Sequence, residues 1–132
     1  MYGKKKTNKY GNKKTIWNGV SFDSRLEEYA YRIMMDADID FEFQVPIELV
    51  PKHRINGEAI RKASVKVDFV IKDGDSLIYM DTKGFATDVA KLKYKLLGWI
   101  KTVANENFSI VWLKNQKEVR EFVNKIKTNK DE

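Results

Sequence analysis

Apolar residues Leu26, Tyr29, Ala30, Ile33 and Ala37 recur at helical spacing. Ahead of them Ser24-Arg25-Leu26-Glu27 has the S-x-x-E form of a capping box, so the spacing predicts a helix over about Ser24 to Ala37. From Phe41 the period falls to two. Phe41, Phe43, Val45, Ile47 and Leu49 alternate with Glu42, Gln44, Pro46 and Glu48, a strand whose proline suits a sheet edge or a bulge. Residues 51–63, PKHRINGEAIRKA, show no clear period and are expected to form a polar loop. Val65, Val67, Phe69 and Ile71 alternate again, Asp73-Gly74-Asp75 supplies turn chemistry, and the chain returns through Leu77 to Lys83, which predicts a hairpin. Thr87 and Asp88 then open a helix on which Val89, Leu92, Leu96, Ile100 and Val103 trace one apolar stripe. Phe108 to Leu113 reads as a short buried strand, and Asn115 with Glu118 opens a last helix marked by Val119, Phe122, Val123 and Ile126. The order is α-β-β-β-α-β-α, an α/β chain without internal repeats.

Composition narrows the chemistry. The 132 residues suit one domain with a real core. With no Cys, thiol catalysis and cysteine-ligated metals are excluded, and a single His, His53, cannot build a multi-histidine metal site. No segment has the length and apolarity of a membrane span or signal peptide, so no membrane partner is expected and the chain reads as cytoplasmic. The formal charge of +6 is uneven: residues 1–14 hold Lys4, Lys5, Lys6, Lys9, Lys13 and Lys14 and no acid. Removing those six leaves 19 bases against 19 acids. Residues 1–14 are therefore expected to be a basic flexible arm ahead of a domain over 15–132. A polyanionic partner and a solubilising tail both explain such an arm.

The hairpin places two acids together. Side chains on paired strands share a face only when their numbers have the right joint parity. A two-residue turn centred on Asp73-Gly74 pairs positions summing to 147, and one centred on Gly74-Asp75 pairs positions summing to 149. In both registers Asp68, Asp81 and Lys83 share a face, with the two carboxylates roughly 5 to 8 Å apart at Cβ. A three-residue loop would put the acids on opposite faces; the Asp-Gly sequence favours the two-residue turn. Paired carboxylates aimed at one point need a proton, a cation or a nearby base. Hard oxygen ligands suit Mg²⁺, which would activate water and neutralise charge on a phosphodiester, with Lys83 orienting the water or offsetting developing charge.

A simpler reading stands beside this one. Composition alone yields about three acid-x-Lys matches in a chain with 19 acids and 20 lysines, so only the context of Asp81-Thr82-Lys83 has weight. A face carrying Lys66, Asp68, Lys72, Asp81 and Lys83 could be a solvated ladder of charge pairs. Against that, Val70, Leu77 and Tyr79 lie on the same face and call for a cover. Spacing alone assigns Glu27 to capping Ser24 rather than to a ligand set.

The order of elements, with an acid on the second strand and D-x-K on the third, resembles the PD-(D/E)XK nuclease superfamily over about Ile16 to Leu113. More closely, Phe22-Asp23-Ser24-Arg25-Leu26-Glu27, Phe43-Gln44, Asp68-Phe69, Asp81-Thr82-Lys83-Gly84, and Thr87 followed by Lys91, Lys93 and Lys95 resemble a phage-encoded family of small proteins related to junction-resolving endonucleases. Val67 stands where the superfamily name has proline, a position that does not itself touch the chemistry. The resemblance implies a single-domain restriction-endonuclease-like fold with a mixed central sheet flanked by helices. It also implies Glu27, Asp68 and Asp81 as ligands of Mg²⁺, with Mn²⁺ as a substitute, and Lys83 as the catalytic lysine.

The same resemblance implies a metal-dependent DNA endonuclease acting on branched DNA, a Holliday junction resolvase-like homodimer in the host cytoplasm. A nuclease for flaps, ends or duplex, and an inactive DNA-binding accessory protein on the same scaffold, remain the alternatives. The arm lysines with Arg54, Lys91 and Lys95 are the expected phosphate contacts, joined by Lys52, Arg61 and Lys62. His53 is expected to have no catalytic duty.

Overall fold

Five consecutive residues, Val67 to Ile71, are buried. A strand reaches that state only inside a sheet whose two faces are both covered. In the computed structural model, which describes residues 15–17, 19–83 and 86–131, this run is the middle of the longest strand. The elements are β1 (Thr15–Trp17), β2 (Val20–Phe22), α1 (Arg25–Asp36), β3 (Phe41–Val50), β4 (His53–Ile55), β5 (Glu58–Ile60), β6 (Ala63–Asp73), β7 (Ser76–Thr82), α2 (Asp88–Val103), β8 (Phe108–Leu113) and α3 (Gln116–Asp131). With the short hairpins β1–β2 and β4–β5 set aside, the succession is the expected α-β-β-β-α-β-α, an α/β chain with a mixed four-stranded sheet. The expected arm at residues 1–14 lies outside the described residues.

The chain divides into two compact units. One is Asp40–Trp112; the other joins the described residues up to Ile39 with those from Leu113 onward. In the first, the sheet order is β3-β6-β7-β8. β3 and β7 both run antiparallel to β6, while β8, reached through the α2 crossover, makes the sheet mixed. Pro46 sits on β3, an edge strand of this sheet, as its sequence context suggests. The β6–β7 turn is Gly74-Asp75, with positive φ at Gly74, so the register that sums to 149 is the one formed.

The core of this unit joins Leu49, Val65, Val67, Val70 and Tyr79 to Tyr94 and Leu97 of α2. Strict alternation would send Val67 and Val70 to opposite faces, yet both enter this cluster. The break falls where Gln44 of β3 takes φ +52, between the pairs Phe43–Phe69 and Val45–Val67. Phe69 meets Phe41 and Phe43 instead, with ring centroids 5.5 and 5.2 Å away. The end of α2 is tied to the sheet by the Tyr79 hydroxyl, which donates to Glu106 at 2.5 Å, and by Lys101, 3.4 Å from Glu106 and over the Tyr79 ring.

Two expectations are corrected. Residues 51–63 are not an irregular loop: Asn56 and Gly57 both have positive φ, as a two-residue type I′ turn requires, and they close β4 on β5. On α2 the apolar stripe is packed only in part: Leu96 and Ile100 lie against the core. Val89, Leu92 and Val103 are exposed, as is Trp99, while Tyr94 and Leu97 are buried. Both stripes have helical spacing, and the one that carries a polar-tipped aromatic is the one the sheet covers.

In the other unit β1 pairs antiparallel with β2, and α1 packs on α3. Ser24 Oγ accepts from Glu27 N at 3.1 Å and Glu27 Oε1 accepts from Asp23 N at 2.7 Å, a capping box displaced by one residue. Asn115 and Glu118 cap α3 in the same manner, at 2.9 and 2.8 Å. Among the described residues no helix is long and apolar enough to cross a membrane.

Leu97→Ala should cost about 2 to 4 kcal/mol in urea unfolding, whereas Leu92→Ala should cost less than about 1 kcal/mol. Equal losses would contradict the assignment of the buried face of α2.

Candidate functional site

Asp68 and Asp81 stand at the rung just beyond the β6–β7 ladder, which runs from Asp73–Ser76 to Phe69–Met80 and ends there. Buried backbone N–H groups must be paired. Here side chains do it. Asp68 Oδ2 accepts from both the backbone N–H and the hydroxyl of Thr82, each at 2.9 Å. Asp81 Oδ1 in turn takes a long contact, 3.4 Å, from the backbone N–H of Asp68. Each carboxylate thus replaces part of the ladder by reaching to the opposite strand. The parity argument is met: the two acids are opposite one another, and Lys83, two residues on, brings its ammonium to 3.4 Å from Asp81 Oδ2.

Both acids are almost fully buried, Asp68 at 5% and Asp81 at 1% exposure. Burial above all, then the neighbouring Asp68 charge, pushes the Asp81 carboxyl up to about 7 from its ordinary 3.8, with Lys83 pulling the other way. Asp81 Oδ2 is buried and accepts no hydrogen bond, and the Tyr94 hydroxyl is buried and makes none. The two groups interact across the site without closing a bond of ordinary geometry. Burial holds the Tyr94 phenol far above its ordinary range, and the Asp81 carboxylate adds to the effect. Tyr94 is fixed from behind by Trp112, ring centroids 5.0 Å apart.

Lys83 offsets part of what Asp81 Oδ2 loses with its solvation, but a buried acceptor without a hydrogen bond still costs about 1 to 3 kcal/mol. A proton or a cation removes that cost. The donor set is all hard oxygen, and two carboxylates completed by waters is a normal environment for Mg²⁺. Among the described residues no group of three or more His, Asp or Glu gathers that could hold a metal ion. Any cation here would rest on Asp68 and Asp81 from the unit Asp40–Trp112. Glu27 belongs to the other unit, where it is 1% exposed and caps α1.

Of the expected phosphate contacts, Lys91 and Lys95 are exposed on α2 and Arg54 is exposed on β4. The arm lysines lie outside the described residues. His53 Nδ1 is 2.8 Å from the Pro51 carbonyl, an exposed local contact. Sequence reasoning passes over Thr82 and Tyr94. Thr82 is the middle residue of D-x-K, which alternation sends away from the acids, so only the opened ladder brings it to Asp68. Tyr94 does leave a signal: Ala90, Tyr94 and Leu97 form a second helical stripe on α2.

The sign of the pH dependence follows from Asp81. Its carboxyl binds a proton more tightly folded than unfolded, so its contribution to stability is greatest below about pH 4 and is lost as pH rises through about 7. Asp81→Asn should therefore raise the melting temperature at pH 8, by a stabilisation on the order of a few kcal/mol at most, and the gain should shrink towards pH 4. Thermal melts at both pH values check this; an equal or inverted effect would contradict a buried, proton-seeking Asp81.

No curated protein and no solved structure matches the chain. A family match covers residues 7–121, which takes in every element from β1 to β8 and the start of α3. The chain therefore belongs to the family described as "Protein of unknown function (DUF1064)".

Proposed function

We propose that the chain is a divalent-cation-dependent endonuclease that hydrolyses phosphodiester bonds in DNA, with branched DNA such as a four-way junction as the substrate class. The observation that carries this reading is the buried Asp68–Asp81 pair, with Asp81 Oδ2 lacking a hydrogen-bond donor and the Lys83 ammonium 3.4 Å from it. A solvated charge ladder does not fit carboxylates at 5% and 1% exposure under a helix. The covered apolar face that Val70 and Tyr79 required is supplied by Tyr94 and Leu97.

Bound Mg²⁺ would supply an activated water and offset the phosphate's charge. Asp68 and Asp81 would hold it, in keeping with their burial and all-oxygen chemistry. Thr82 positions Asp68 by donating two hydrogen bonds to one oxygen, which leaves the other oxygen's direction set by the same ring of contacts. Lys83, part exposed and 3.4 Å from Asp81 Oδ2, would meet a scissile phosphate at the pair, and its charge would favour the extra negative charge of in-line attack. Lys91 and Lys95 add phosphate contacts on α2 without sequence information. Symmetric cutting of a junction calls for two such sites, so a C2 homodimer belongs to the proposal. The resemblance to junction-resolving nucleases adds Glu27 as a third acid.

The test is Mg²⁺-dependent cleavage of end-labelled four-way junction, flap and linear duplex side by side. The junction should be cut fastest, and Asp81→Asn should lower the rate by at least about 10³-fold while binding in Ca²⁺ persists. Mg²⁺ should also raise the melting temperature of the parent protein and not of Asp81→Asn. Undiminished cutting by the variant would remove the site assignment, and no hydrolysis of any substrate with Mg²⁺ or Mn²⁺ would leave the accessory-protein reading.

A further inference from the structure

The β4–β5 ribbon rises between β3 and β6, and every residue from Pro51 to Ala59 is exposed. Two strands of three residues with neither face covered are marginal on their own. This ribbon nevertheless has specific closure: the Asn56-Gly57 turn has positive φ at both positions, and Arg54 Nη1 donates to the Gly57 carbonyl at 2.7 Å. Its shape is thus set locally, without a core.

Its charge is lopsided. Lys52, Arg54, Arg61 and Lys62 are opposed within the ribbon only by Glu58. The register pairs Arg54 with Ala59 and His53 with Ile60, where the strands end; continued by one rung it brings the flanking Lys52 and Arg61 opposite each other. Lys52, Arg54 and Arg61 therefore share one face. Like charges across a rung destabilise a hairpin, and Ala59, opposite Arg54, carries no charge to offset them. A polyanion lying along the ribbon would turn this repulsion into binding.

The geometry points to the β4–β5 ribbon as a DNA-contacting arm, its Lys52-Arg54-Arg61 face laid on the phosphates that border the major groove of a B-form duplex. The inference deepens the phosphodiester reading of the Asp68–Asp81 site and rests on it for the choice of DNA. The B-form major groove, about 12 Å wide, admits a two-stranded ribbon, whereas the deep, narrow groove of an RNA helix does not. Ala63, at the ribbon's base, is five residues along β6 from Asp68, about 17 Å. The ribbon would therefore grip duplex roughly five base pairs from the bond being cut, and would add affinity without touching the chemistry. Arg54 serves this role preorganised, since its bond to Gly57 fixes the guanidinium over the turn while its charge remains.

Binding is read by fluorescence anisotropy of a labelled 30-base-pair DNA duplex in Ca²⁺, titrated with NaCl. The double variant Lys52→Ala/Arg61→Ala leaves the Arg54–Gly57 bond and the turn in place. It should weaken binding about tenfold or more at 100 mM salt and lower the slope of log affinity against log salt by about 2. Adding Arg54→Ala, which also gives up the bond to Gly57, should lower the slope by about 3 in all. Unlabelled RNA duplex of the same length should compete at least about tenfold less well than DNA. Unchanged affinity and slope in the double variant, equal competition by RNA, or a loss confined to anionic phosphatidylserine vesicles would each overturn the assignment. Because anisotropy needs no turnover, a chain that cleaves nothing yet loses DNA affinity on these substitutions would sink the nuclease reading and keep the ribbon. A chain that cleaves normally with an indifferent ribbon would do the reverse.

Discussion

Two carboxylates take the place of ladder hydrogen bonds where β6 and β7 part, and the unit Asp40–Trp112 is organised around that substitution. The backbone N–H of Thr82 has no place in the β6–β7 ladder and is satisfied by Asp68; the N–H of Asp68 is met by Asp81. Neutral amide-to-amide bonds would do the same work at less electrostatic cost. Holding two acids in a sheet instead demands that water be kept out by α2, that Gln44 bend β3 at the facing position, and that Lys83 stand at the rim.

The same arrangement separates cost from use. Asp81 is less stable ionised than in water, by burial and by its neighbour. Tyr94 shares the condition, since a buried phenol without a bonded partner is a stored deficit on the opposite wall. Stability is recovered at a distance, through Tyr79, Glu106 and Lys101 at the end of α2 and through the apolar contacts of Leu97.

Much of this is legible in the residues. Period-two and period-3.6 stretches locate the seven principal elements, and parity arithmetic on the hairpin brings Asp68 and Asp81 together. What escapes has physical reasons. The β4–β5 ribbon buries nothing, so it leaves no hydrophobic period to read, although its Asn-Gly turn is visible. The packed face of α2 is ambiguous because two helical stripes coexist there, and only the sheet's shape decides between them. Thr82 is hidden by the very rule that finds its neighbours: alternation holds only while the ladder holds, and the ladder ends one rung too soon.

The tight Gly74-Asp75 turn has a consequence for how the gene can drift. Thirteen positions separate Asp68 from Asp81, and the turn fixes which of them face each other. Insertion or loss of two codons, one on each strand, changes the hairpin's length and leaves both acids on one side. A single codon within either strand, with the turn kept at two residues, turns one acid to the other face. Length variation within the two strands, outside the turn, should therefore run in even steps, much as a reading frame tolerates threes, wherever the pair is in use.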